Sequence, residues 1–153
     1  MKFSSTDSLD AALEELEQVT MRMVWQMRLD QQRAFEPLGV SPMQAFTLIS
    51  VEKGVDQPSA LAFVLDASPP GISQILAGLE ERGLLRRELD ADNKRKVRIL
   101  LTEEGRHFLT QLHQRWREVS RERYSRLSPE EIAMLTQSYR KLIEPTGGSG
   151  EGR

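Results

Sequence analysis

The chain contains no cysteine. That absence excludes disulfides, thiolate metal sites, a cysteine nucleophile and thiol-based redox sensing. Its two histidines, His107 and His113, lie six residues apart, a spacing that puts them on different sides of a helix, and neither adjoins a nucleophile pattern. No glycine-rich phosphate loop, metal-ligand cluster or paired-carboxylate motif occurs. The chain is therefore not expected to be an enzyme or to need a cofactor. No apolar run approaches membrane-spanning length, and the first residues lack the apolar core of a signal peptide. A cytoplasmic protein without a membrane partner is expected. Aromatic residues make up only 6% and the formal charge is -2, so the totals alone do not announce a nucleic-acid partner. No internal repeat is found. The one low-complexity segment is the glycine-rich tail, residues 145–153, expected to be disordered.

What is present is a segregated charge. Between Arg82 and Arg98 there are seven basic residues and three acidic ones, whereas residues 1–40 are net acidic. A local basic patch is what phosphate contact requires, and the overall sign matters less. The 153 residues suit one domain, or one domain with appended helices.

Between Pro58 and Thr102 the local signals run in a telling order. Ser68 precedes Pro69 and is thereby extended. It can cap a helix whose first position Pro69 fills without missing an amide. Ile72, Ile75, Leu76 and Leu79 fall at helical spacing, and Gly83 ends the helix. Leu85 and Leu89, then Val97, Ile99 and Leu101, alternate as two half-buried strands. Between them Asp90 to Asn93 favour a turn, followed by Lys94, Arg95 and Lys96. Two short helices, a ribbon and a basic ribbon tip spell a winged helix-turn-helix, a module that binds DNA. The plainer alternative is an α+β fragment with a solvated hairpin. Against it stand the small polar groups Ser68, Ser73 and Gln74 on the outward face, the concentrated charge, and the long helix that follows at once.

The flanks read as long helices. From Ser8 to about Glu36, Leu9, Leu13, Leu16, Thr20, Met23 and Met27 alternate at spacings of four and three, a seam that faces a partner. Ser41, Pro42 and Gln44 make a capping box ahead of Phe46, Leu48, Ile49 and Val51. Pro58 opens a helix carrying Leu61, Phe63, Val64 and Leu65. Thr102 caps a helix with the stripe Leu109, Leu112, Trp116 and Val119. The arginines on its other face, Arg115 to Arg126, read as solvated charge paired with Glu118 and Glu122. Ser128 to Glu131 is a second capping box, before Ile132, Leu135, Tyr139 and Leu142. The expected fold is mainly α with a small β-hairpin. A winged helix-turn-helix at 41–102 is flanked by dimerisation helices at 1–40 and 103–144.

The chain resembles the MarR family of bacterial transcriptional regulators from about Leu9 to Leu142. The resemblance rests on Leu79-Glu-Glu-Arg-Gly-Leu-Leu85 with Arg87, on Asp92-Asn-Lys-Arg95, and on Leu101-Thr-Glu-Glu-Gly105. It implies a homodimer that reads a pseudo-palindromic duplex and represses until a small ligand releases it. It makes Ser68 to Arg82 the recognition helix, with Ser68, Ser73 and Gln74 nearest the bases. Gln74 stands where the family often has arginine, and glutamine reads adenine through two hydrogen bonds. Arg95 matches the family's wing-tip arginine, which enters the minor groove, with Lys94 and Lys96 beside it. The usual aspartate two residues earlier is Asn93 here.

The resemblance also implies a small aromatic or anionic effector between the dimer platform and the winged helix. Met23, Trp25, Met27, Phe46 and Phe63 would line its site, and Arg22, Arg28 or His107 would hold a carboxylate. Plain core packing is the alternative for these side chains. A winged helix that docks on protein, or a family member that has lost DNA binding, is the competing reading, and salt dependence discriminates, since phosphate contact releases counterions and protein docking does not.

Overall fold

The architecture is that of a computed structural model, which describes residues 5–90, 93 and 96–144. Helix α1 spans Ser5–Phe35 and runs into a 3-10 turn at Glu36–Leu38. Helices α2 (Pro42–Glu52), α3 (Pro58–Val64) and α4 (Pro69–Glu81) follow, then strands β1 (Leu85–Leu89) and β2 (Val97–Leu101), and helices α5 (Glu103–Tyr124) and α6 (Pro129–Ile143). The chain divides into two compact units, one ending at Val119 and the other starting at Ser120.

Serine starts three of the helices by one mechanism. Ser41 Oγ accepts from the Gln44 amide at 3.2 Å while Gln44 Oε1 accepts from the Ser41 amide at 3.0 Å. Ser128 and Glu131 repeat the exchange at 3.2 and 2.7 Å. Ser68 Oγ accepts from the Gly71 amide at 3.2 Å. Each cap satisfies an amide that the helix itself leaves unpaired, a contribution of about 1 kcal/mol. Thr102 works in two directions. Its Oγ1 accepts from the Gly105 amide at 2.9 Å and donates to the Gly83 carbonyl at 2.6 Å. One hydroxyl thus joins the start of α5 to the turn after α4.

The winged-helix core is built from Leu48, Leu61, Ile72, Leu76, Leu79, Leu85, Ile99 and Leu109, drawn from every helix and strand between α2 and α5. The strands pair antiparallel from Leu85–Leu101 to Leu89–Val97. The Ile99 amide donates to the Asp56 carbonyl at 2.7 Å, so the loop ahead of α3 lies along the free edge of β2. That bond anchors the ribbon to the helices beneath it. A second cluster holds Phe35, Val40, Ala45 and Leu112. In it Phe35 stacks on Trp116 at 5.7 Å and meets Phe46 edge-on at 6.1 Å. The last turn of α1 is thereby fixed against α2 and α5.

One expected burial and one helix boundary need correction. Leu89 was expected to be half-buried on β1 but is 65% exposed. Leu85 and Ile99 are buried in the core and Val97 and Leu101 pack against it, whereas Leu89, paired with Val97, stays outside it. Phe63 is 88% exposed, and Val64 is exposed with it. Helix α3 has only seven residues and buries only Leu61. Helix α1 begins three residues earlier than expected, at Ser5.

Leu9, Leu13, Leu16 and Thr20 of the α1 seam are exposed, and Met23 and Met27 are half-buried. On α6, Ile132, Tyr139 and Leu142 are exposed and Leu135 is half-buried. No single helix among the described residues is long and apolar enough to cross a membrane. The expected tail, residues 145–153, lies outside the described residues.

Candidate nucleic-acid interface

Helix α4 has one buried and one open face. Ile72, Leu76 and Leu79 point into the core, while Pro70, Ser73, Gln74, Ala77 and Glu81 are exposed at the complementary spacing. Among the described residues, neither Ser73 nor Gln74 uses its side chain in a hydrogen bond. Ser68 differs, because its Oγ is already engaged as the cap. The start of α4 is poor in donors. Pro69 and Pro70 have no amide hydrogen, the Gly71 amide goes to Ser68 Oγ, and the Ile72 amide goes to the Ser68 carbonyl at 3.0 Å. The usual anion-binding property of a helix N-terminus is therefore depleted here.

The basic stretch is less free than its composition suggests. Arg82 donates to the carbonyls of Gly39 at 2.7 Å and Leu38 at 3.2 Å, and its guanidinium lies 5.2 Å over the Phe108 ring. Arg86 pairs with Glu88, and Arg87 Nε pairs with Glu80 at 3.0 Å. Arg98 Nε donates to Asp56 Oδ2 at 2.7 Å, and this hydrogen bond and charge raise the arginine's pKa further. Four of the seven cations thus hold the fold together. Lys96 is exposed, and Lys94 and Arg95 lie outside the described residues. The backbone that carries the tip is tightly tied. Asn93 donates its amide to Asp90 Oδ1 at 2.9 Å, Lys96 to the Asn93 carbonyl at 2.8 Å, and Asp90 to the Lys96 carbonyl at 2.9 Å.

The residues expected around an effector lie in different settings among the described residues. Phe46 packs on Phe35, Phe63 is solvent-exposed, and Trp25 is exposed on α1 with Arg28 at 5.9 Å from its ring. Two clefts are found in the unit that ends at Val119. One, of about 340 Å³, is lined by Gln32, Glu36, Gly39, Val40, Ser41 and Pro42. The other, of about 500 Å³, is lined by Leu84, Glu103, Glu104, His107, Phe108 and Gln111. None of Met23, Trp25, Met27, Phe46 or Phe63 lines either one. His107, one of three residues expected to hold a carboxylate, lines the second cleft with Glu103 and Glu104, and its Nε2 lies 3.2 Å from Gln111 Nε2. No cluster of metal-ligating side chains occurs among the described residues.

A helix-turn-helix followed by a two-stranded ribbon is the layout of a duplex reader. Comparison with known proteins supports that layout. Residues 38–96 match the model of the MarR family. The chain is 33% identical over 95 residues to the transcriptional regulator HosA of Escherichia coli, covering 62% of this chain and 70% of that one. The chain belongs to the MarR family.

MarR-family likeness extends nearly end to end. The transcriptional repressor MprA of Escherichia coli is 29% identical over 156 residues, 94% of this chain and 84% of MprA. The apo crystal structure of Escherichia coli MarR superposes with a TM-score of 0.72 at 24% identity, over 81% of this chain and 94% of that one. A cysteine-to-serine mutant of the same MarR, complexed with operator DNA, superposes with a TM-score of 0.65 at 25% identity, over 81% of this chain and 91% of that one. The homologues are transcriptional regulators and not enzymes.

Within this MarR-family fold, sequence reasoning missed the residues that position the reading elements. Arg82 entered as positive charge and as part of the family motif, not as a tie, yet it joins the end of α4 to the turn after α1. Asp56 had no assigned role, yet it holds β2 through its carbonyl and Arg98 through its carboxylate. Their partners lie about 40 residues away in sequence, and no local pattern signals such a pairing.

Proposed function

We propose that this MarR-family regulator is a homodimeric repressor that binds a pseudo-palindromic duplex operator. Helix α4 enters the major groove, and the wing tip at Lys94, Arg95 and Lys96 contacts the phosphates and minor groove. The observation that carries the reading is the open polar face of α4, where Ser73 and Gln74 are unengaged among the described residues, together with the exposed Lys96 ahead of β2. The operator-bound MarR structure, which shares this fold, supports the placement. The repressor role is supported by likeness to MprA, named a repressor.

Dimerisation uses the exposed apolar seams of α1 and α6, which a partner copy would cover. The segments are assigned accordingly. Residues 1–40 and 103–144 serve as the platform, and 41–102 as the reading head. The two recognition helices then sit about 34 Å apart, one turn of duplex. A small aromatic or anionic ligand that releases the DNA completes the proposal. With one protomer's candidate lining dispersed, such a site would be formed between copies. A cytoplasmic location fits a protein that works on the chromosome.

The lack of any cation on the open face of α4 favours one other reading, a winged helix that docks on protein. Capture of sheared genomic fragments by the full-length protein, followed by sequencing, separates the two. Enrichment of a few loci sharing an inverted repeat is the expected result. Recovery of fragments in proportion to their abundance would overturn the repressor reading.

A further inference from the structure

Resting on that placement of α4 in the major groove, we infer that the helix reads an adenine flanked by thymine methyls and draws no affinity from guanine. The argument starts from the edges of the bases. Guanine shows two acceptors in the major groove, so its reader is a double donor, arginine or lysine. Adenine shows one acceptor and one donor, which match the carboxamide of glutamine or asparagine. Thymine shows a methyl group, which takes an apolar contact.

Helix α4 carries no arginine or lysine between Pro69 and Glu81, and Gln74 is its only carboxamide. Gln74 is exposed and has no hydrogen-bond partner among the described residues, so both arms of its fork are free. Pro70 lies four residues before it and Ala77 three after, both exposed on the same face. They are small apolar groups placed to either side of the fork. The nearest cation along the chain is Arg82, and its guanidinium already serves the Leu38 and Gly39 carbonyls. Glu81, exposed beyond Ala77, further disfavours the guanine edge, whose acceptors it would meet with an acceptor. Three independent features of one face therefore select the same base-pair type: the carboxamide, its apolar neighbours and the missing cation.

The test is selection by the full-length protein from a random duplex library, followed by single-base exchange in the selected half-site. Wild type should select an adenine at one fixed position in each half-site. Exchange of that adenine for 7-deazaadenine, which removes only N7, should weaken binding about tenfold. Gln74→Ala should abolish that difference, and Gln74→Arg should invert the preference toward guanine at the same position. Uracil in place of the flanking thymines should cost a few-fold. Circular dichroism checks the fold of both variants, for which the exposure of Gln74 predicts no change.

A selected half-site with guanine at every position that responds to Gln74 substitution would overturn the inference and leave the DNA-binding reading intact. So would an adenine preference that survives Gln74→Ala. No enrichment of any sequence would overturn both.

Discussion

The guanidinium of Arg82 donates to the carbonyl of Gly39 at 2.7 Å, across 43 residues of sequence. This bond joins the end of α4 to the turn that closes α1. The same side chain lies on Phe108 of α5, so three elements meet at one arginine. Helix α4 is fixed at its other end by the Ser68 cap and along its length by Ile72, Leu76 and Leu79. It is therefore anchored at both ends and along its buried face, as the proposed base readout requires.

Loss of Arg82 should loosen that end. Charge-assisted hydrogen bonds of this kind contribute about 1–2 kcal/mol where solvent screens them. Arg82→Met keeps much of the aliphatic stem and removes the donors. Urea denaturation should show a lower midpoint with an unchanged slope, and an unchanged midpoint would mean the bonds contribute nothing.

Two glycines should answer alanine in opposite directions. A Cβ on Gly105 would fall 2.0 Å from the Leu84 carbonyl oxygen, a backbone atom that cannot step aside. Gly105→Ala should destabilise by about 2–3 kcal/mol as α5 is pushed off β1. A Cβ on Gly78 meets only the far end of the Gln44 side chain, at 3.5 Å. Gly78→Ala sits in a helix interior and should stabilise by about 0.5–1 kcal/mol. Thermal melts of the two variants check both signs at once.

Much of this was legible in the sequence because its causes are local. The Ser-Pro starts of α2, α4 and α6, with Gln44 and Glu131 three residues on, are complete within one helical turn. The stripe Leu109, Leu112, Trp116 and Val119 needs only helical periodicity, and all four turn toward the core. The ribbon was legible in its alternation but not in its reach. Period two says that Leu85 and Leu89 share a face, not that only Leu85 is covered. The pairing of Arg87 with Glu80 and of Arg98 with Asp56 was illegible for a similar reason. Composition counts charges, and only the fold decides which of them are already taken.

Glu130 offers a test of electrostatics at the start of α6. Hydrogen bonds from its own amide and from the Ser128 hydroxyl hold its carboxyl below the usual range. A depressed folded-state pKa stabilises the fold above the unfolded value, and that contribution is lost as the pH falls through the folded one. NMR titration should give Glu130 a midpoint below those of freely exposed glutamates. Ser128→Ala should move it back up, and a midpoint indifferent to that change would remove the cap from the explanation.

The α1 seam makes a prediction about assembly. Leu9, Leu13 and Leu16 stay exposed in the single chain, an arrangement that a partner copy would bury. The double substitution Leu13→Glu and Leu16→Glu should shift the sedimenting species from dimer to monomer. The near-ultraviolet spectrum of the winged-helix unit should be kept. An unchanged dimer mass would place the interface elsewhere.

The most direct single measurement is a titration of the protein against a duplex from its own upstream region and a scrambled duplex, across a range of salt. Phosphate contact releases counterions, so the logarithm of affinity falls linearly with the logarithm of salt, with a slope of about -0.9 per contact. If the cations at Lys94, Arg95 and Lys96 are the main phosphate contacts, a dimer brings six of them. Replacing all three by alanine should then flatten the slope by up to about 5. Selective binding with a steep slope that the wing variant flattens is the expected result. Equal binding to both duplexes, or a slope indifferent to the wing, would contradict the assignment of this winged helix to operator DNA.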